Sequence, residues 1–457
     1  MTGLEETLPA LSDALTPPVV LGTAELTHLA YQGHGLAELL ARIDASGGTA
    51  DERRYDSAIA LQLGFRRAEG LNRLDEVLAE CQTFRVGRAA DGAVRVLALV
   101  CPGDLMTNVP LDFLTRHLNV RLDLLYVLPG QPLPPVIPDH DVAFFAAGEA
   151  DPAMLVRLAA LYAAWPRPAL NDPAWLPALE RDALSRSLQD IPGLCSPAVV
   201  AATRDMLERD VGSGGLSLGV GTSAPTYPCL IRPYGCHAGV GLERVTTLGE
   251  LVSYLRSSPA RDFFLSTFHD YRGADGLYRK LRIAFIDRQP LLCHMAVSSH
   301  WMVHYLNAGM AESAAKRAEE AMAMATFDSG FARRHAAAFE ALHQRLPFDF
   351  YSIDCAETAD GRLLVFEADT AAIIHAMDPP DLFPYKQPQM ARVFAAFDAL
   401  LHKACTAQPS AARRRQSGIP LPMSHLPAPT MDLRSFGNLA SGARLAEQFE
   451  PIHSNAP

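Results

Sequence analysis

Two acidic residues end an otherwise apolar strand near residue 370. In the stretch GRLLVFEADT, residues 361–370, an apolar run ends at Phe366 and is followed by Glu367 and Asp369. Side chains alternate across a strand, so both carboxylates lie on one face, about 7 Å apart. Carboxylates at this distance either raise the pKa of one member or hold a cation. A hard divalent ion with oxygen ligands is the simpler account.

A third carboxylate joins this face if the preceding turn is tight. Asp360–Gly361 is typical of a two-residue type I′ hairpin turn, in which both central residues have positive φ. Counting back from such a turn pairs Asp354 with Glu367 and Ser352 with Asp369. The face therefore carries three candidate metal ligands, Asp354, Glu367 and Asp369. A solvated acidic hairpin face is the alternative interpretation.

Two basic side chains on another predicted strand complement these acids. In YRKLRIAFID, residues 278–287, alternation places Lys280 and Arg282 on one face and Arg279 on the other. Neighbouring cations of this kind neutralise phosphate groups. The acids and bases together predict a site for a metal-bound nucleotide.

A glycine-containing loop offers a further phosphate contact. A predicted strand ends at Arg232, and the loop after it carries Gly235, Gly239 and Gly241. Such a loop can bring backbone N–H groups close to phosphate oxygens, although a glycine-rich hairpin turn is the commoner meaning. The loop is not a P-loop, because none of the chain's four lysines follows a glycine.

Two histidines have the spacing found on zinc-binding helices. His300 and His304 lie four residues apart in SHWMVHYLNAGM. No third ligand follows at a matching spacing, as a zinc site would require. We therefore interpret this stretch as a polar wall of a substrate site.

The composition limits the class of protein. With 49% hydrophobic and 20% charged residues, the chain has the composition of a globular protein. Its length suggests roughly three domains. The formal net charge of -11 argues against nucleic-acid binding, which needs a basic face. Small-molecule or peptide partners are the better expectation.

The cysteine pattern and the N-terminal residues indicate the cellular compartment in which we expect the protein. Eight cysteines are scattered without a CxxC pair, which fits a reducing environment. The first residues are acidic ahead of the first apolar run, unlike a secretory signal, and no run approaches the about 20 residues of a membrane span. We expect a cytoplasmic protein without a membrane segment that forms a homo-oligomer.

Apolar spacing divides the chain into four parts. Helical periodicity without proline dominates residues 20–86, and three apolar runs separated by helix-length segments then predict a parallel α/β layer. The runs are 94–101, 122–129 and 141–148, with a short strand expected within 167–173. We predict a helical domain at 1–88, an α/β domain at 89–195, an α+β domain at 196–404 and a disordered tail at 405–457.

The third part mixes strands and helices without strict alternation. The predicted strands are 228–233, 262–268, 278–287, 350–357 and 362–369, and the predicted helices lie near 247–257, 311–326 and 331–346. A further helix is predicted over 174–191. This mixture indicates an α+β unit.

The order of these parts resembles the ATP-grasp superfamily, on the side of glutathione synthetase and RimK-type ligases. The resemblance covers about residues 90–404, and its most specific motif is IDCAETADGRLLVFEAD. The segments DYRGADGLYRKLRIAFID and HWMVHYLNAGM are similar to a bacterial ATP-grasp group with helical-repeat segments at the N-terminus. The resemblance implies an ATP-grasp fold with an α/β pre-ATP-grasp domain, preceded here by a small helical domain that could bind a protein or peptide partner.

The resemblance also implies roles for individual residues. ATP would be bound with two Mg²⁺ ions, or Mn²⁺, in a D...ExN pattern that falls on Asp354, Glu367 and Asp369, with Asp369 replacing the usual Asn. Arg282 and Lys280 would face the transferring phosphate as the catalytic pair. The implied ATP-binding residues are Arg232, which replaces a lysine, the loop residues Gly235, His237, Gly239 and Gly241, the backbone of Thr267 and Phe268 at the adenine, and Asp270 at the ribose. The implied substrate contacts are His304, Asn307 and Arg317.

The implied reaction forms ADP. A carboxylate would be activated as an acyl phosphate and joined to an amine or similar nucleophile, from an amino acid, a peptide or a natural-product substrate. This chemistry relies on positioning and charge neutralisation, which fits the absence of a recognised catalytic triad. Two alternatives are a small-molecule kinase of the same superfamily and a catalytically silent ATP-grasp scaffold that binds a partner.

Overall fold

A computed structural model describes residues 8–88, 90–212, 226–236 and 239–409. Two predictions fall outside these residues: the role of His237, and the disordered tail from residue 410 onward. No helix in the described ranges is long and apolar enough to cross a membrane. The described chain mixes helices and strands in layers, as predicted.

Helices occupy the N-terminal part, as its apolar spacing predicts. They are α1 (Gly22–Tyr31), α2 (Leu36–Ala45), α3 (Ala50–Leu63) and α4 (Arg67–Leu78). A capping box starts α3, in which the hydroxyl of Thr49 accepts a hydrogen bond from the N–H of Glu52. The buried carboxylate of Asp56 accepts the N–H groups of Leu21 and Gly22, at 2.9 and 3.1 Å, where α1 begins.

A six-stranded sheet follows these helices. Its order is β2-β3-β5-β4-β7-β8, from β2 (Val19–Val20), β3 (Thr83–Val86), β4 (Val94–Val100), β5 (Val120–Tyr126), β7 (Val142–Phe145) and β8 (Ala169–Leu170). The pairs of β4 with β5 and with β7 are parallel, as the three apolar runs predict, whereas β3 pairs antiparallel with β5. Helices α5 (Leu111–Thr115) and α6 (Pro152–Ala164) lie between the strands, and β1 (Ala10–Ser12) pairs separately with β6 (Val136–Pro138).

The N-terminal helices and this sheet share one core. Leu26 of α1 and Leu74 of α4 are buried in the same cluster as Val96 of β4. Leu401 of α12 (Lys386–Cys405) belongs to that cluster too. The proposed domain boundary at residue 88 thus separates parts that pack together, and it stays a proposal.

A five-stranded sheet carries the predicted hairpin. Its order is β15-β14-β16-β17-β9, from β9 (Leu194–Cys195), β14 (Tyr278–Ile286), β15 (Gln289–Ser298), β16 (Phe350–Glu357) and β17 (Leu363–Asp369). The predicted strands at β14, β16 and β17 are confirmed to within one residue, but β15 was not predicted. The surrounding helices are the 3₁₀ segments Pro173–Leu179 and Tyr305–Asn307, α7 (Arg181–Leu188), α10 (Ala314–Ala325), a π-helical turn at Asp328–Ala332, and α11 (Ala336–Arg345).

A smaller antiparallel sheet has its own core. Its order is β10-β13-β11-β12, from β10 (Val199–Thr203), β11 (Cys229–Pro233), β12 (Glu243–Val245) and β13 (Asp262–Thr267), with helices α8 (Arg204–Gly212) and α9 (Leu248–Ser257). Ile231, Leu251 and Phe263 are buried in a cluster drawn from this sheet and its helices alone. The four-stranded sheet is therefore a separate packing unit of the described chain.

The β16–β17 hairpin has the predicted pairing of Asp354 with Glu367, but its turn differs from the predicted one. Its loop has three residues, 359–361, because the N–H of Thr358 donates to the carbonyl of Arg362 at 3.0 Å. Within this loop only Gly361 has a positive φ, of 80°. The predicted type I′ turn at Asp360–Gly361 is therefore wrong, and the loop has the three-residue form with glycine in the left-handed region.

A β-bulge compensates for the longer turn. Between the pairs Asp354 with Glu367 and Cys355 with Val365 the register shifts, which leaves Phe366 without a partner residue. The extra residue restores the count, so Asp354 faces Glu367 as predicted. Two type I′-like positive φ values, 48° and 70°, occur instead at Asp287 and Arg288 between β14 and β15.

A buried asparagine joins the two larger sheets. Asn171, just after β8, has a φ of 57° and a buried side chain. Its amide Nδ2 donates to the carbonyl of Phe350 on β16, and its Oδ1 accepts the N–H of Phe350, both at 2.8 Å. The side chain thus pairs with Phe350 as a neighbouring strand would.

Candidate active site

One cavity of about 360 Å³ gathers most of the predicted site residues. It lies between the four-stranded sheet, the five-stranded sheet and the chain that follows β17. The predicted residues on its wall are Arg232, Gly239, Thr267, Phe268, Lys280, Arg282, His304, Asn307, Asp354, Glu367 and Asp369.

Asp354 lies at the centre of the acidic face. Its side chain is 4% exposed, and its carboxylate accepts Lys280 Nζ at 2.7 Å and Arg282 Nε at 2.8 Å. Burial by itself would raise the pKa of Asp354, but the Arg282 and Lys280 cations hold it well below its ordinary value. Lys280 and Arg282 therefore lie on one face, as predicted, and both bind the same carboxylate.

Glu367 is paired with a cation that the sequence did not indicate. Arg181, the first residue of α7, places Nη2 at 2.6 Å from Glu367 Oε2. Burial opposes ionisation of Glu367, yet Arg181 lowers the pKa of this carboxyl to about 2. Arg181 lies 186 residues before Glu367, so no local pattern could have linked them.

Asp369 has a different environment. Its Oδ1 accepts the N–H of Ala371 at 2.6 Å, and it forms no ion pair within the described ranges. Burial and, to a smaller extent, the charge of Glu367 raise the pKa of Asp369 to about 6. A cation at this carboxylate would offset both effects.

The acidic face suits magnesium by its chemistry. Its donors are carboxylate oxygens, which Mg²⁺ prefers, and no cation from the described part of the chain pairs with Asp369. Among the described residues, however, no three His, Cys, Asp or Glu side chains are already arranged as a metal site. The carboxylates of Asp354 and Glu367 are instead paired with basic side chains.

Arg232 on β11 is a buried cation that has no anionic partner among the described residues. The residue is 9% exposed, and its Nε and Nη2 have no hydrogen-bond partner in the described part of the chain. Burial and the nearby Arg181 lower the pKa of its guanidinium to about 10, which leaves it charged at neutral pH. An unpaired buried cation on a cavity wall is costly unless an anionic ligand binds it.

Gly239 allows the loop after β11 to approach the far wall. A Cβ atom at this position would lie 2.5 Å from Nε2 of His304. Gly239 also has a φ of 73°, which disfavours other residues. The two predicted residues Gly239 and His304 therefore meet across the cavity.

Aromatic side chains form an apolar part of the wall. The Phe268 and Trp301 rings pack edge to face with centroids 5.7 Å apart, and the guanidinium of Arg244 lies 5.0 Å from the Phe268 centroid. A planar base fits against a wall of this kind.

The backbone N–H groups at the predicted adenine contact are bonded within the protein, and the contact itself stays a prediction. The N–H of Thr267 donates to the carbonyl of Ala198 at 3.1 Å, and that of Phe268 donates to the carbonyl of Pro228 at 3.3 Å. Both N–H groups are thus committed within the protein. The next N–H, of His269, donates to no acceptor that the structure describes, and His269 lines the cavity.

Four predicted site residues do not line the cavity: Gly235, Gly241, Asp270 and Arg317. The carboxylate of Asp270 pairs with its neighbour Arg272, and Arg317 Nη1 donates to the carbonyl of Met310 at 3.0 Å. Arg317 is thus held by local backbone. His300 does not line the cavity either, and the segment carrying His300 and His304 is not a helix.

Sequence reasoning missed several cavity residues. They are Tyr31, Arg181, His294, Trp301, His375, Asp378 and Lys386. For His294 an available signal was overlooked, because LLCHMAV after Asp287–Arg288 has the apolar content of the unpredicted strand β15. The others are single residues brought together only by the tertiary fold.

No family model and no curated protein matches the chain. Among solved structures, it is similar to a D-alanine–D-alanine ligase from Bacillus anthracis complexed with ATP, at 12% identity and a TM-score of 0.39, over 72% of this chain and 100% of that one. It is also similar to a RimK domain ATP-grasp protein from Sphaerobacter thermophilus, at 18% identity and a TM-score of 0.38, over 67% and 99% of the two chains. A third similar structure is the VanG D-Ala:D-Ser ligase from Enterococcus faecalis, at 12% identity and a TM-score of 0.42, over 68% of this chain and 99% of that one.

These similar structures include one described as ATP-grasp, the superfamily that the sequence resembles. With identities of 11–18% and TM-scores below 0.5, the similarities do not define an activity.

Proposed function

We propose that this protein is an ATP-dependent, ADP-forming ligase that activates a carboxylate and joins it to an amine. The observation that carries the proposal is Arg232, a buried guanidinium without a counter-ion in the described chain, on the same cavity wall as Lys280 and Arg282. These three cations, together with Arg181 and the three carboxylates of the same cavity, match a polyphosphate with its metal ions better than a neutral ligand.

In the proposed reaction a substrate carboxylate oxygen attacks the terminal phosphorus of ATP, and the bond from that phosphorus to the ADP oxygen breaks. The amine then attacks the carbonyl carbon of the acyl phosphate, phosphate leaves, and the amine nitrogen loses a proton. Lys280 and Arg282 neutralise charge on the transferring phosphate, and Arg232 binds the remaining phosphates. Positioned cations, rather than a side-chain nucleophile, supply the catalysis.

Asp354, Glu367 and Asp369 would hold magnesium, with two ions or Mn²⁺ as the finer proposal. When bound, Mg²⁺ neutralises and orients phosphate oxygens. Asp354 also acts as a positioning residue, since it holds Lys280 and Arg282 on the cavity side of β14. Arg181 supplies the charge that keeps Glu367 ionised.

Thermal unfolding with MgATP tests the nucleotide site. We expect MgATP to raise the melting temperature of the wild-type protein. Arg232→Met should leave the ligand-free protein as stable or more stable, because a desolvated charge is removed, and should reduce the MgATP-induced shift. Arg256→Met, an exposed arginine on α9 of the same unit, is the matched control and should retain the full shift. An unchanged shift in Arg232→Met would overturn the assignment.

Product analysis tests the reaction class. Incubation with MgATP and candidate carboxylates and amines should release ADP and inorganic phosphate in equal amounts. ADP with the phosphate retained on the substrate would indicate a kinase instead. MgATP binding without any ADP release would indicate a silent scaffold.

A further inference from the structure

One part of the cavity wall is built from segments far apart in the chain. Tyr31, the last residue of α1, lines it together with Asp378 from the segment after β17 and Lys386 from the start of α12. The N-terminal helices therefore contribute directly to the cavity wall. We call the group of Tyr31, Asp378 and Lys386 the distal subsite.

A second carboxylate, Glu320, lies behind the distal subsite and adds a negative charge beside it. Lys386 is 3% exposed, and its Nζ lies 3.0 Å from Asp378 Oδ2 and 3.6 Å from Glu320 Oε1. Two carboxylates thus share one ammonium. Glu320 is otherwise satisfied, because it accepts the N–H of Met295 at 3.0 Å and the hydroxyls of Tyr305 and Tyr385 at 2.8 and 2.7 Å.

Asp378 keeps an acceptor for a ligand. The residue is 9% exposed and lines the cavity, yet its Oδ1 accepts no hydrogen bond from the described chain. This oxygen is not among the fully buried atoms of the described residues that lack a partner, so it is open to a donor in the cavity. A positively charged donor from a substrate would satisfy both the hydrogen bond and the local charge.

The nearby histidines do not supply that positive charge. Burial, followed by Arg282 and Lys386, places the pKa of His294 well below its ordinary value. Burial likewise lowers the pKa of His375, whose Nδ1 accepts the N–H of Met377 at 3.2 Å. Both rings are therefore neutral at neutral pH. Tyr31 and Asp378 line the same cavity, and burial together with the Asp378 charge raises the pKa of the Tyr31 hydroxyl to about 12, so this hydroxyl stays protonated.

We infer that the distal subsite binds an ammonium group of the substrate, with Asp378 as its counter-ion and Tyr31 as an adjacent hydroxyl acceptor. The inference rests on the proposed ligase function, and it names the chemical class of one substrate: an amino acid. Through Tyr31, the N-terminal helices are part of the specificity-determining surface.

Matched probes test this inference in the full-length protein. Each of the common L-amino acids is compared with the same carboxylic acid lacking the amino group, such as L-phenylalanine with 3-phenylpropanoate, in the presence of MgATP. Melting temperature and ADP release are measured for each pair. We expect at least one amino acid, and not its deaminated partner, to shift the melting temperature and stimulate ADP release.

Variants then assign the effect to the subsite. Asp378→Asn should raise the half-saturating concentration of that amino acid at least tenfold, and Tyr31→Phe, which removes only a hydroxyl, should raise it severalfold. Asp381→Asn is the control, because Asp381 is an exposed acid three residues away. If Asp378→Asn folds poorly, Tyr31→Phe still decides the matter.

The outcomes separate this inference from the function beneath it. Failure of MgATP to stabilise the wild-type protein would refute the nucleotide site itself. If MgATP binds but deaminated acids act as well as amino acids, or no amino acid discriminates wild type from the Asp378 and Tyr31 variants, the ammonium subsite is wrong while the nucleotide site stands.

Discussion

Asp354 faces Glu367 across the β16–β17 hairpin, and each carboxylate is neutralised by a cation from outside the hairpin. The juxtaposition depends on the bulge at Phe366, which compensates for the three-residue turn. A pair that would repel in isolation is thereby held in place by Lys280 and Arg181. The hairpin contributes the position of the acids, and the surrounding fold contributes their charge state.

Glu367→Gln should lower both stability and activity. Repulsion from Asp354 alone would predict a more stable variant, but the pKa of Glu367 is lowered to about 2, so its carboxylate stabilises the fold. That contribution is present above the ordinary pKa and is lost as the pH falls towards about 2. We expect a lower melting temperature at pH 7 and ADP formation reduced by about 100-fold or more. Glu312→Gln, at an exposed site, is the control, and equal ADP formation in both variants would contradict the metal assignment.

Asp354→Asn should be more damaging to the fold. Removing one partner of a buried ion pair leaves uncompensated charges and typically costs about 3 kcal/mol or more. Here both Lys280 and Arg282 lose their carboxylate. The urea midpoint of the ligand-free protein should fall, and adding Lys280→Met should recover part of the loss. A double variant whose loss is the sum of the two single losses would argue against this coupling.

Stability of the N-terminal helices should depend on pH through Asp56. Burial raises the pKa of Asp56 to about 6, so its stabilising contribution is present below its ordinary value of 3.8 and is lost as the pH rises through about 6. Asp56→Asn cannot ionise. Its melting temperature relative to wild type should therefore rise between pH 5 and pH 7.5, as scanning calorimetry would show. A constant difference would mean that Asp56 ionises normally in the folded protein.

ATP should stabilise the protein more than GTP does. The N–H of His269, which donates to no acceptor among the described residues, and the neighbouring backbone carbonyls offer a donor and acceptors beside the aromatic wall. Adenine presents an amino donor where guanine presents a carbonyl acceptor. Thermal shifts with MgATP and MgGTP at equal concentration measure the difference. Equal shifts would show that the wall does not distinguish the bases.

Local patterns predicted the strands and the acidic face, because period-two alternation is a property of the strand itself. Even there, the pairing of Asp354 with Glu367 was reached through a turn one residue too short and a bulge not foreseen. The bulge has no clear local signature, since Phe366 is an ordinary strand residue. The predicted and observed pairings agree because the longer turn and the bulge each shift the register by one residue, in opposite directions.

Contacts between remote parts of the chain were beyond local patterns. Tyr31 and Asp378 lie on different elements far apart in the chain, and only the packing of α1 beside the segment after β17 brings both to the cavity. The same holds for Arg181, whose charge decides the ionisation of Glu367. The strand β15 was missed for another reason: its tight turn at Asp287–Arg288 uses no glycine.

The side chain of Asn171 links two of the three larger sheets, and the third sheet is packed separately. By pairing with Phe350, Asn171 fastens the six-stranded sheet to the five-stranded sheet, whose apolar residues also share a core cluster. The four-stranded sheet has its own cluster. We expect the six-stranded and five-stranded sheets to move together as one rigid unit. The four-stranded sheet should move relative to them and so change the width of the cavity. Distance labels on β8 and β16 should then stay constant when MgATP is added, while labels on β11 and β16 should report closure.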